Sequence, residues 1–90
     1  MVKNYQNPQF GKIVTAKELG GLIRSFRKSN NFTLERVTGL TNVSMRFLSE
    51  LERGKETAEL GKVLLLLNRL GLDVIIQPRG YSSYTENSND

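Results

Sequence analysis

The chain has 90 residues, of which 38% are hydrophobic and 24% charged, a composition typical of a single globular domain. It contains no cysteine and no histidine. Disulfides, thiolate metal sites and Ser–His or Cys–His nucleophilic sites are therefore excluded, and we expect no enzyme activity, no metal and no cofactor. Thirteen Lys and Arg against nine Asp and Glu give a net charge of +4, which weakly indicates a polyanionic partner. The sequence shows no targeting segment and no apolar run long enough to span a membrane, so we expect a cytoplasmic protein.

The positive charge is concentrated in the first part of the chain. Residues 1–56 carry ten basic and five acidic side chains, whereas residues 57–90 carry three basic and four acidic ones. An anion-binding face is therefore expected in the first part. A solvated surface with a mild basic bias explains the same charge distribution equally well.

The first predicted helix follows an N-terminal arm. Residues 1–14 show no helical period, whereas Thr15 and Glu18 have the spacing of a capping box and precede apolar residues at helical spacing. The neighbouring Gly20 and Gly21 weaken this helix by about 1 kcal/mol each relative to alanine. The alternative interpretation is that these glycines permit close approach of another helix.

Two short helices joined by a tight turn are predicted next. Thr33 is a candidate cap for a helix of about two turns, and Asn42 suits a turn because asparagine tolerates the left-handed conformation. Ser44 is a candidate cap for a third helix, which Gly54 follows. This arrangement is a helix-turn-helix, a motif whose second helix can enter the DNA major groove.

A fourth helix and one strand complete the pattern. Thr57 is predicted to cap a helix that extends to about Leu70 and is followed by Gly71. Residues 72–77 are rich in β-branched side chains and predict a strand, and residues 80–90 are polar and predict disorder. The core stripe expected on the fourth helix consists of Leu60, Val63, Leu64, Leu67 and Leu70.

The predicted strand lacks a convincing partner strand in its own chain. The segment 12–14 is the only intramolecular candidate, and an unpaired apolar edge is an aggregation hazard. Pairing with the same segment of a second copy gives an antiparallel two-stranded ribbon across a two-fold axis. Surplus apolar residues of the fourth helix would pack beneath this ribbon. The dimerisation residues expected on this basis are Leu65, Leu66, Leu70, Leu72, Val74 and Ile76.

The string VSMRFLSELERGK at residues 43–55 resembles the signature of the Xre family, the phage-repressor and Cro type of helix-turn-helix domain. The resemblance extends over residues 15–71. Within that family, residues 57–63 and the LGL at residues 70–72, followed by a strand, are most similar to HipB-type antitoxins.

This resemblance implies a mainly α, repressor-like domain of four to five helices, with a short C-terminal strand that forms an intermolecular two-stranded sheet in a dimer. The expected divisions are an N-terminal arm at 1–14, the DNA-binding domain at 15–71, a dimerisation strand at 72–79 and a disordered tail at 80–90. The resemblance also implies a bacterial, nucleoid-associated autorepressor that binds a palindromic DNA operator as a homodimer and binds a HipA-like serine/threonine kinase toxin. The alternatives are a stand-alone Xre repressor and a protein-interaction module that does not read DNA.

Candidate DNA contacts lie on and around the third helix. Arg46 is the first choice for base readout, because a bidentate contact from Arg to guanine is the commonest specific contact. Met45 can pack against a thymine methyl group, and Ser49 can bond either base edge. Glu50 can accept a hydrogen bond from cytosine, although a solvated helix acid is the commoner use of such a residue. The candidate phosphate contacts are Thr33, Ser44, Arg53 and Lys55.

Two further positions carry structural expectations. The resemblance places a family glutamate at Glu52 and its arginine partner on the first helix at Arg27, as an ion pair that ties the first helix to the end of the third. Phe47 is unexpected at an outward position. It either covers the second helix or makes an apolar contact with a sugar or a thymine methyl group.

Overall fold

The computed structural model describes residues 10–80, and this range contains four helices: α1 (Ala16–Ser29), α2 (Leu34–Thr41), α3 (Met45–Glu52) and α4 (Leu60–Arg69). The predicted mainly α fold is confirmed. The helix α3 packs against both α1 and α2, and α4 packs against α2. Most of the predicted arm, at 1–9, and nearly all of the predicted disordered tail, at 81–90, lie outside the described residues. No helix in the described range is long and apolar enough to cross a membrane.

Hydroxyl caps begin the first three helices at the predicted positions. The Thr15 hydroxyl accepts the Glu18 N–H at 3.0 Å, and the Glu18 carboxylate in turn accepts the Thr15 N–H at 3.2 Å. The hydroxyls of Thr33 and Ser44 each accept the backbone N–H three residues further on, also at 3.0 Å. Each cap satisfies an N–H that has no partner within the helix, so the spacing located these helix starts correctly.

The turn between α2 and α3 contains the predicted left-handed residue. Asn42 has a φ of 63°, and its N–H donates to the Thr38 carbonyl oxygen at 2.8 Å, which ends α2. After α3, Gly54 has a φ of 93° and donates to the Leu51 carbonyl oxygen at 2.9 Å. These two endings fix α3 as a helix of eight residues between two sharp turns.

The fourth helix begins later than the sequence predicts. Its N-cap residue is Glu59, which makes no side-chain capping bond, and Thr57 lies in the preceding turn. The prediction that Thr57 caps α4 is therefore wrong. Ala58 packs against the core before the helix begins, so tertiary packing rather than a hydroxyl cap sets this boundary.

The buried face of α4 also differs from the predicted stripe. Leu66 is fully buried, whereas Leu60 and Leu64, which the sequence assigned to the core, are exposed. The interpretation of Leu66 as surplus apolar surface for a dimer is therefore wrong, because its side chain belongs to the core of a single copy. Apolar residues are continuous from 63 to 67, so their periodicity cannot decide which side faces α2. Within residues 10–80, the buried apolar residues are Ile23, Val37, Val43, Leu48, Leu51, Val63, Leu66 and Leu67.

The predicted strand segment has no strand partner within residues 10–80. Residues 72–78 form neither helix nor strand, and they do not pair with residues 12–14. Val74, Ile75 and Ile76 are exposed, and Ile76 is 93% exposed. Pairing with a second copy stays a prediction.

The helices α1 and α3 make their closest approach at Gly20. A Cβ atom at this position would lie 2.9 Å from the Glu52 carbonyl oxygen and would overlap the Leu51 carbonyl oxygen. Gly21 faces open space, with nothing within 4 Å of an added Cβ. The predicted close approach of another helix is therefore confirmed for Gly20 and not for Gly21.

Candidate nucleic-acid interface

A buried ion pair fixes the C-terminal end of α3 to α1. Arg27 donates from Nε to one oxygen of Glu52 at 2.7 Å and from Nη2 to the other oxygen at 3.0 Å. A third donor, Nη1, reaches the Phe32 carbonyl oxygen at 3.0 Å. The two side chains are only 11% and 6% exposed. Arg27 lies two helical turns after Gly20, so both tie the same face of α1 to the same end of α3.

The other face of α3 carries the residues predicted to contact bases. Leu48 and Leu51 point into the core, while Met45 and Arg46 are exposed. Ser49 and Glu50 are partly exposed and lie one turn after Met45 and Arg46, on the same side of the helix. The structure therefore brings the four predicted base-contact residues together on one face.

A charge network crosses this face. The Glu50 carboxylate accepts a hydrogen bond from Arg46 Nε at 3.1 Å and, through its other oxygen, from Lys55 Nζ at 3.0 Å. Hydrogen bonding from Lys55, and secondly from Arg46, holds the pKa of Glu50 below its ordinary value. Sequence reasoning missed this network. The i,i+4 spacing of Arg46 and Glu50 was the available signal, whereas the position of Lys55 depends on the turn at Gly54.

The four predicted phosphate contacts lie at the ends of the two short helices. Thr33 and Ser44 are exposed N-cap residues, and their hydroxyls accept backbone N–H groups. Arg53 and Lys55 are exposed just after α3. Arg53 donates from Nη1 to the Ser49 hydroxyl at 2.6 Å, so a predicted phosphate contact touches a predicted base contact.

Phe47 packs inward rather than standing free. It is partly buried against the hydrophobic core, and the Lys62 ammonium of α4 lies 5.8 Å from the centroid of its ring. This is a cation–π contact between α3 and α4, which the sequence did not reveal. The outward position of Phe47 is therefore explained by packing in the free protein.

Comparison with known proteins identifies the family. The family model described as a helix-turn-helix domain matches residues 18–75. The chain belongs to the helix-turn-helix family. An uncharacterized HTH-type transcriptional regulator, y4mF, of Sinorhizobium fredii is 39% identical to it over 69 residues, which are 77% of this chain and 91% of that protein.

Solved structures of HipB share the fold of this helix-turn-helix protein. The structure described as a HipB-O4 20mer complex matches with a TM-score of 0.71 and 18% identity, over 78% of this chain and 99% of that one. A chain of the HipA-HipB-O2-O3 complex matches with the same TM-score, identity and coverage. The resemblance to HipB-type proteins found in the sequence is thus matched by a shared fold.

Proposed function

We propose that this helix-turn-helix protein is a sequence-specific DNA-binding transcriptional repressor. The observation that carries the proposal is the face of α3, which presents Met45, Arg46 and Ser49 opposite the buried Leu48 and Leu51. An eight-residue helix held at its far end and exposed along one face has the geometry of a helix that enters the major groove. The excess of positive charge in residues 1–56 suits a partner rich in phosphate.

The roles of the side chains follow from their positions. The Arg46 side chain is 86% exposed, and it would donate to guanine in the major groove. Met45 and Ser49, on the same face, would contact a thymine methyl group and a base edge. The phosphate contacts would come from both ends of the motif, at Thr33, Ser44, Arg53 and Lys55.

Dimerisation through the C-terminal segment is the second part of the proposal. A single α3 reads too few base pairs for useful specificity, whereas a two-fold dimer presents two copies of α3 to a palindrome. Val74 and Ile76 are exposed and unpaired within the described residues, and Leu65 of α4 is also exposed. Leu70 and Leu72 are partly buried and pack against the core. An intermolecular two-stranded ribbon would cover the exposed apolar side chains.

Selection of duplexes from a randomised library by the full chain tests both parts. We expect the selected site to be an inverted repeat with half-site centres about 34–36 Å apart, bound by two chains per duplex. Mass measurement of the complex by light scattering gives the stoichiometry. One chain per duplex at saturation contradicts the dimer, and failure to enrich any sequence contradicts specific DNA binding.

We further propose that the chain is the antitoxin of a HipBA-type operon that it represses itself, with a HipA-like kinase as its protein partner. The support is the HipB-type sequence at residues 57–63 and 70–72, together with the fold shared with a chain of the HipA-HipB-O2-O3 complex. The gene next to this one provides the test. A kinase-like neighbour whose product copurifies with the chain supports the antitoxin role, and a neighbour without kinase features favours a stand-alone repressor.

A further inference from the structure

Glu50 is the acidic side chain of the α3 exposed face, the surface proposed to meet DNA. Its side chain is 24% exposed and lies between Arg46 and Lys55, with one carboxylate oxygen bonded to each cation. A carboxylate in this position would be repelled by DNA phosphates unless its charge were neutralised. Because both oxygens already accept hydrogen bonds from cations, Glu50 is poorly placed to accept one from cytosine.

Arg46 and Lys55 each keep N–H donors that are not bonded to Glu50 and that could bond DNA. Arg46 uses Nε for Glu50, and its Nη groups make no hydrogen bond among the described residues. The Nη groups are thus free to bond guanine O6 and N7. Lys55 spends one of its three N–H donors on Glu50, which leaves two for a phosphate. The Glu50 carboxylate thus holds two cations, one available for a base and the other for a phosphate.

The strength of the hydrogen bonds between Glu50 and the two cations depends on how much water surrounds them. In free solution an exposed pair such as Arg46–Glu50 contributes little, because water screens the charges and the long side chains lose rotamer freedom. When a DNA groove covers α3 and excludes water, the same hydrogen bonds become stronger. Hydrogen bonds from Lys55 and, secondly, from Arg46 hold the pKa of Glu50 below its ordinary value, which is consistent with an ionised carboxylate that binds both cations.

We propose that Glu50 is a positioning residue for DNA readout, which aims the Arg46 guanidinium at guanine and anchors Lys55 beside a phosphate. This inference rests on the proposed function, since it needs α3 to enter the major groove. Glu50 thereby sets the ratio of specific to non-specific affinity without touching a base. The negative charge of Glu50 lowers the affinity for any duplex that has no guanine at the position contacted by Arg46.

The experiment compares the full wild-type chain with Glu50→Ala, Arg46→Ala and the double variant. Three DNA probes are used. The first is the duplex that the wild-type chain selects from a randomised library. The second is the same duplex with one G·C pair changed to A·T, at the position where Arg46→Ala removes the preference for G·C, and the third is a scrambled duplex. We expect Glu50→Ala to reduce the preference for G·C over A·T by about tenfold, within the range that one bidentate contact supplies. We expect it to strengthen binding to the scrambled duplex. In the Arg46→Ala background, Glu50→Ala should leave the preference at that pair unchanged.

Glu59→Ala is the control for the loss of one negative charge, because Glu59 is likewise an acid paired with a lysine, Lys62, at 3.7 Å, although its side chain is more exposed than that of Glu50. This substitution also deletes one negative charge, but at a position outside the exposed face of α3. It should therefore leave the preference for G·C over A·T unchanged. The inference is overturned if Glu50→Ala keeps the preference at the Arg46 pair, changes it at a different pair, or acts no differently from Glu59→Ala. If the wild-type chain selects no duplex at all, the proposed function itself is wrong, which is a separate and recognisable result.

Discussion

Gly20 and Gly21 are neighbours on α1, and alanine should affect stability in opposite directions at the two positions. At Gly21 an added Cβ meets nothing within 4 Å, so only the better helix propensity of alanine acts. We expect Gly21→Ala to stabilise the fold by about 0.5–1 kcal/mol. At Gly20 the added Cβ meets the backbone carbonyl groups of Leu51 and Glu52, which cannot rotate away as a side chain can. Here α1 and α3 must separate, and the typical cost of overpacking is about 1–3 kcal/mol, larger than the gain in propensity.

Urea unfolding followed by circular dichroism measures both free energies of unfolding. All variants are compared at one protein concentration, because the proposed dimerisation would make apparent stability depend on concentration. For a domain of this size, each kcal/mol shifts the melting temperature by about 4–8 °C, so thermal melts resolve the two effects as well. Gly21→Ala is the control for the general consequences of placing alanine in α1. If Gly20→Ala stabilised the protein as much as Gly21→Ala, the close contact between α1 and α3 would be refuted.

Three further predictions concern the site and the assembly. Arg27→Met or Glu52→Leu alone should destabilise the fold by about 3–5 kcal/mol, because each leaves a buried charge without its partner, whereas the double variant should be destabilised far less. Urea unfolding that shows the same loss of stability in the double variant as in the single variants would contradict this. Arg46→Ala should weaken binding to the selected duplex by about 1–3 kcal/mol and relax one base preference, while Lys55→Ala should weaken all duplexes alike and reduce the salt slope by about one. Titrations at several salt concentrations separate these two, and equal weakening of selected and scrambled DNA by Arg46→Ala would assign that residue to phosphate contact instead. Removal of residues 72–90 should convert the proposed dimer to a weak or unfolded monomer that no longer binds the selected duplex. Sedimentation of the truncated chain as a well-folded dimer, with unchanged affinity for DNA, would exclude this segment from assembly.

The sequence located the helix-turn-helix because its boundaries depend on local chemistry. Capping by Thr33 and Ser44 uses atoms three residues apart, and the left-handed turn at Asn42 is a property of one residue. The pairing of Arg27 with Glu52 spans 25 residues, and no local rule leads to it. Only the resemblance to the Xre family predicts this ion pair.

The incorrect predictions of a helix start and of buried residues concern α4, where local signals are weak. Thr57 is a good cap by residue type, but the chain packs Ala58 against the core before it becomes helical at Leu60. Where five apolar residues follow one another, only the position of α2 decides that Leu66 is buried and Leu64 is exposed. The ion pairs of Glu50 were missed for a related reason, because the path of the chain after α3 brings Lys55 back to it.

The residues of α3 that hold the fold together are different from those proposed to read DNA. Substitutions can therefore change the proposed DNA specificity without changing the fold. Helices of eight residues are unstable alone, so α3 depends on the contacts that fix it, and these lie at Leu48, Leu51 and Glu52. The residues proposed to read DNA lie on the opposite face, where substitution changes little buried area. A change at Arg46 or Glu50 should therefore alter which duplex is bound while the helix keeps its direction. A change at Glu52 should instead reorient or release the whole helix, and binding to every duplex would fall together.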